Sequence, residues 1–244
     1  MPEVIFSGPA GRIEGRYQRG RGEAPPIALI LHPHPLFGGT MNNRVCYELY
    51  NLFGRKGFSV LRFNFRGVGR SQGEYDQGQG ELADAATALD YLQQTNPTAP
   101  FAWVAGFSFG SWIGMQLLMR RPEITGFISV SAPANLYDFS FLAPCPSSGI
   151  IVHGELDKVC APEETKTMVD RTRTQKGRKI DFEIIPGADH FFESHFDVML
   201  ASSERYLDAR LAERVIFDEP REGGVEEPEL IEDAGAVVEE DDDE

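Results

Sequence analysis

Ile27-Ala28-Leu29-Ile30-Leu31 is an unbroken apolar run set between the breaker-rich segment 19–26 and His32-Pro33-His34-Pro35. A strand buried on both faces of a parallel sheet needs this pattern, because neither set of alternating side chains meets water. Runs of the same kind, some with single polar interruptions, occupy 58–65, 101–105, Ile124–Val130, 149–153 and Ile180–Ile185. Between them the period changes. Val45, Leu49, Leu52 and Phe53 recur at helical spacing within 43–56, with Gly57 as the C-cap. Leu82, Ala85, Ala86, Leu89 and Leu92 share one face of a helix predicted over 80–93. Two more helices are predicted, over 112–119 and from Phe196 to about Val215. At the start, 4–6 and 11–17 read as an antiparallel entry hairpin turned through Gly8-Pro9. Strands alternating with helices imply right-handed crossovers. The expected fold is therefore α/β: a mostly parallel, doubly wound sheet of about seven or eight strands with helices on both faces. Residues 132–148 leave the only room for a lid, so the expected cap is minimal.

Charge changes the picture at one end. From Asp218 to Glu244 there are fourteen acids and one base, Arg221, so this segment carries −13 of the chain's −15 and the first 217 residues carry −2. Such composition cannot offset the entropy of ordering. The expectation is a globular domain over 1–217 and a disordered acidic tail over 218–244, either solubilising or docking to a basic partner. A hydrophobic content of 41% over 244 residues suits one such domain. An acidic chain without a basic patch is a poor nucleic-acid binder. The N-terminus has neither the basic nor the apolar region of a secretory signal, and no apolar run reaches the ~18 residues of a membrane span. Cys46, Cys145 and Cys160 are odd in number and widely spaced, which suits free thiols in a reducing compartment. The cytoplasm is the expected location.

The candidate chemistry lies where strands end. Gly106-Phe107-Ser108-Phe109-Gly110 follows one predicted strand and precedes a predicted helix, the context of a nucleophile elbow. The turn is sharp and strained, which explains the glycines flanking the serine. A serine hydroxyl needs an oriented base to become a nucleophile. His190 follows the last strand and Asp157 follows the one before it, so Ser108, Asp157 and His190 stand in the chain order this elbow requires. Glu155 and Asp189 compete with Asp157 for the acid's role. An oxyanion hole needs two backbone N–H groups. Phe109 supplies one, and the loop His32 to Gly39 should supply the other. Pro33 and Pro35 cannot donate, which leaves Leu36 or His34; Leu36 is favoured because Gly38-Gly39 give the backbone freedom. The His32-x-His34 pair lacks a third ligand at suitable spacing, so no metal is expected. Arg66 is expected to tie its loop near the site, with substrate contact as the alternative. Phe37, Phe107 and Phe191 are candidates to line an acyl pocket, in competition with core packing.

Taken together, residues 4–215 resemble the small bacterial α/β-hydrolases of the dienelactone-hydrolase-like group, in particular a lidless subfamily with a His-Pro-His-Pro-x-x-Gly-Gly loop. The resemblance rests on His32 to Gly39, Asn64 to Ser71, Gly106 to Gly110, His153 to Asp157 and Gly187 to Phe192. Dienelactone hydrolases proper carry cysteine at the nucleophile, where this chain has Ser108, and many relatives carry aspartate at Asn64. The resemblance implies hydrolysis of a small-molecule ester, thioester or lactone through an acyl-enzyme, without metal or organic cofactor. A peptidase or acyltransferase using the same triad is the rival enzyme. An interaction module acting through the acidic tail is the rival from another class.

Overall fold

A computed structural model describes residues 2–142, 145–172 and 180–218. The chain divides into two units, residues 1–208 and 209–244. The first unit opens with a hairpin of β1 (Glu3–Gly8) and β2 (Gly11–Gln18), paired antiparallel. Then follow β3 (Ile27–Leu31), α1 (Arg44–Arg55), β4 (Ser59–Phe63), α2 (Gln79–Thr95), β5 (Ala102–Phe107) and α3 (Phe109–Leu118). β6 (Ile124–Val130), β7 (Ser148–Gly154), α4 (Pro162–Thr172), β8 (Ile180–Ile185) and α5 (Phe196–Asp218) complete the order. In the second unit the described residues are the last turns of α5, where Arg210 and Glu213 form an ion pair. The acidic tail beyond Asp218 lies outside the described residues.

The strands form one sheet in the order β1-β2-β4-β3-β5-β6-β7-β8. β1, β2 and β4 are paired antiparallel, and every pair from β4 to β8 is parallel. Every residue of β3, β4 and β5 is buried, as their apolar runs require. Leu29, Leu31, Leu61 and Phe63 pack with Leu89, Leu92, Ile113 and Leu117 of α2 and α3 in one core. On the opposite face, Trp103 of β5 is flanked by the rings of Phe53 from α1 and Tyr206 from α5. The expected doubly wound α/β sheet is therefore present, with eight strands.

One element departs from the sequence reading. α4 has no apolar stripe: its buried positions after Pro162 are Thr165, Met168, Val169 and Thr172. Thr165 makes burial tolerable by donating its hydroxyl proton to the Ala132 carbonyl at 2.9 Å. A helix held by capped threonines escapes a search for hydrophobic periodicity.

Topology sets the site. β3 leads through α1 to β4 on one side, while β5 lies on the other side, so strand order reverses at the β3–β5 pair. Leu31 and Gly106 are register partners there, and the loops leaving them open a crevice at the strands' carboxyl ends. β7 and β8 likewise end side by side, with Gly154 opposite Ile185.

Candidate active site

Ser108 sits between β5 and α3 at φ 52° and ψ −119°, a conformation that non-glycine residues rarely adopt. Its neighbours hold it there. Its N–H donates to the Val130 carbonyl at 2.9 Å, and the Ser111 hydroxyl donates to its carbonyl at 2.7 Å. A Cβ on Gly106 would collide with the Gly110 carbonyl, and one on Gly110 would collide with the Leu31 carbonyl. Both glycines of the elbow are thus dictated by close backbone approach.

His190 and Asp157 converge on this serine from the adjoining ends of β8 and β7. His190 Nδ1–H donates to Asp157 Oδ2 at 2.7 Å, which leaves Nε2 free to accept from Ser108 Oγ at 3.2 Å. Asp157 Oδ1 accepts from the Val159 and Cys160 amides at 2.8 and 2.9 Å. Burial alone would raise the acid's pKa. Bonds from His153, His190 and the Cys160 amide outweigh that and hold the carboxyl well below the usual carboxylate range. The competing acids lie elsewhere: Glu155 accepts from the Gly187 amide, and Asp189 from the Glu193 amide.

Two supporting residues escaped the sequence reading. His153, fully buried, places Nε2 at 3.2 Å from Asp157 Oδ2 and 2.9 Å from the Cys160 carbonyl. Its signal was the four-residue spacing from Asp157 across a strand end. Ser131, also buried and at φ 50°, donates its hydroxyl proton to the His190 carbonyl at 3.0 Å and so anchors the loop carrying His190.

The loop after β3 corrects one expectation. The Leu36 amide is already engaged, donating to His34 Nδ1 at 3.2 Å inside a short 3₁₀ turn, Pro35–Phe37. The amides of His34 and Phe109 meet no acceptor among the described residues. The freedom attributed to Gly38-Gly39 serves instead to return the chain: Gly39 N–H donates to the His34 carbonyl, and a Cβ there would strike the Pro33 carbonyl. His32 commits both ring nitrogens to the backbone, donating from Nδ1 to the Pro33 carbonyl and accepting at Nε2 from Phe65 N–H. Burial drives its pKa down to about 3, so it is a neutral post that sets the loop.

A cavity of about 250 Å³ opens over Ser108 and His190, lined also by His34, Phe37, Phe109, Leu136, Tyr137, Val159 and Phe191. Phe37 and Phe191 both line it. Phe107 does not: as the last residue of a doubly buried strand it has no exposed surface, and its ring packs 5.4 Å from that of His190. Arg66 forks onto Asp84 with bonds of 2.8 and 3.0 Å and binds its loop to α2. Asn64 accepts from the Met41 amide and donates to the buried Glu14, a structural role.

Residues 29–149 match the model of the alpha/beta hydrolase fold family. Among solved structures, an Agrobacterium tumefaciens protein of unknown function, described as a candidate alpha/beta hydrolase, is 58% identical over 87% of this chain and 97% of its own, with a TM-score of 0.86. An alpha-beta serine hydrolase homologue from Coxiella burnetii is 33% identical over 84% and 97% of the two chains, at 0.75. A lidless serine hydrolase of Xanthomonas campestris, XC6422, is 25% identical over 86% and 94%, at 0.77. With this fold, these relatives and a serine elbow at the sheet's switch point, the chain belongs to the alpha/beta-hydrolase family.

Proposed function

We propose that this hydrolase cleaves carboxylic esters or thioesters, lactones included, through an acyl-enzyme on Ser108. The observation that carries the reading is the unbroken relay from Ser108 Oγ to His190 Nε2, 3.2 Å, and from His190 Nδ1 to Asp157 Oδ2, 2.7 Å. In the proposed course, His190 Nε2 takes the Ser108 proton as Oγ attacks the acyl carbonyl. The oxyanion is held by the amides of Phe109 and His34, aimed from the start of α3 and the β3 loop. His190 then gives its proton to the departing alkoxide or thiolate. Water repeats the sequence on the acyl-enzyme, releasing the acid and regenerating Ser108. Asp157 keeps the imidazole in the Nδ1–H tautomer and supports its positive charge between the two transfers.

The mostly apolar pocket suits an uncharged acyl group, and the likeness to a lidless serine hydrolase supports an open site. Turnover of p-nitrophenyl esters of graded chain length tests the reading. Ser108→Ala should lower kcat/KM by about 10⁴-fold or more, and an undiminished rate would refute the assignment.

A further inference from the structure

Leu36, Phe37, Leu136, Val159 and Phe191 are among the large apolar side chains that stand exposed, at 67, 85, 59, 39 and 53%. Isolated exposed apolar residues are ordinary, but contiguous ones mark a surface made to be covered. These are contiguous: all but Leu36 line the cavity over Ser108, and Leu36 is Phe37's neighbour in the same 3₁₀ turn. They are also held in place. The Phe37 ring packs 4.7 Å from His34, the Phe191 ring 5.1 Å from His190, and the Asn135 side chain donates to the Val159 carbonyl at 2.9 Å, tying two of the loops together. Among the described residues, no Asp, Glu, Lys or Arg lines the cavity. A charged headgroup entering it would find no counter-ion.

From this we infer that the rim docks on a neutral or zwitterionic lipid surface, from which an uncharged acyl ester passes directly to Ser108. The inference rests on the hydrolase reading proposed above and names how its substrate is presented. A second copy of the chain seated on the rim would close the mouth of the pocket. A layer of amphiphiles covers the same apolar ring while delivering acyl chains into it, so it is the occupant compatible with turnover. Charge points the same way, since neither the first 217 residues, at −2, nor the remainder, at −13, gains from an anionic surface.

The test is co-flotation of the full-length protein with phosphatidylcholine vesicles. The protein should float with them, and replacing part of the lipid with phosphatidylserine should reduce the bound fraction. Phe37→Glu and Leu36→Glu should each lower vesicle binding on the order of tenfold, the scale of one large apolar side chain returned to water. Both variants should keep the wild-type urea midpoint, which separates lost docking from misfolding. Protein left at the bottom of the gradient, while Ser108 still reacts with a fluorophosphonate, would overturn the docking surface and leave the hydrolase reading standing. Floating protein with an unreactive Ser108 would instead sink the hydrolase reading on which the inference rests. Tighter binding to phosphatidylserine, or a dimer in sedimentation velocity that Phe37→Glu dissolves, would also overturn the inference.

Discussion

His153 Nε2 lies 3.2 Å from Asp157 Oδ2, with both side chains fully buried. The same oxygen accepts from His190 Nδ1 at 2.7 Å, so two imidazoles share it. His153 Nε2 also faces the Cys160 carbonyl at 2.9 Å, and the Val159 and Cys160 amides donate to the other carboxylate oxygen.

Removing that bond should be felt in turnover. His153→Phe is expected to lower kcat by about tenfold to a hundredfold, the scale of one hydrogen bond to a charged group. His153→Gln, which keeps an N–H donor on the side chain, should recover most of the loss. Steady-state rates for both variants, with urea midpoints to separate folding from activity, check this. A Phe variant with full kcat would reduce His153 to a packing residue.

The acid's role is sharper still. Asp157→Asn should cost about 10⁴-fold in kcat, because the amide no longer selects the Nδ1–H tautomer of His190. Glu155→Gln should leave kcat within about threefold, since Glu155 serves the Gly187 amide and not the base. Rates on one activated ester compare the two. The reverse ranking would move the acid to Glu155.

The oxyanion assignment can be split between its two candidates. His34 sits at φ −53°, so His34→Pro deletes the N–H with little backbone strain. It should cost about 10²–10³-fold in kcat. His34→Ala, which keeps the amide, and Leu36→Pro, which deletes the other one, should each cost less than about tenfold. Leu36→Pro falling as far as His34→Pro would restore the assignment that the Gly38-Gly39 pair suggested.

Stability should decline with acid in two windows. His32 is held at about 3 against an ordinary 6.5, so between those values the unfolded chain binds a proton that the fold refuses. Its contribution is complete above about pH 6.5 and is lost as pH falls, on the order of 5 kcal/mol in full. Asp157 is depressed as well, so its contribution is complete above about pH 4 and is lost only below that. Urea unfolding from pH 7.5 to 4.5 should show falling stability, with a shallower slope in His32→Gln. A flat profile over that range would contradict the buried neutral imidazole.

Much of this was legible in the sequence because the chemistry sits at the ends of strands whose apolar runs are unmistakable. Ile27–Leu31 and 101–105 read as central strands, and that placed the His32 to Gly39 loop beside the elbow. Strand order pointed to His190 and to Asp157, with Glu155 and Asp189 left in competition for the acid's place. The rest depended on side chains meeting side chains. The His34 imidazole takes up the Leu36 amide, a contact that no spacing rule anticipates. Phe107 had the composition of a pocket residue, but strand alternation turns it beneath His190. α4 hides because Thr165 and Thr172 occupy positions where a search expects leucine.

The central claim is that Ser108 is a nucleophile activated by His190. Full-length protein treated with a fluorophosphonate and mapped by peptide mass spectrometry tests it most directly. The account predicts one phosphonylated residue, Ser108, with labelling slowed at least about a hundredfold in His190→Ala. An unlabelled protein, or a Ser108 that reacts equally fast without His190, would contradict it.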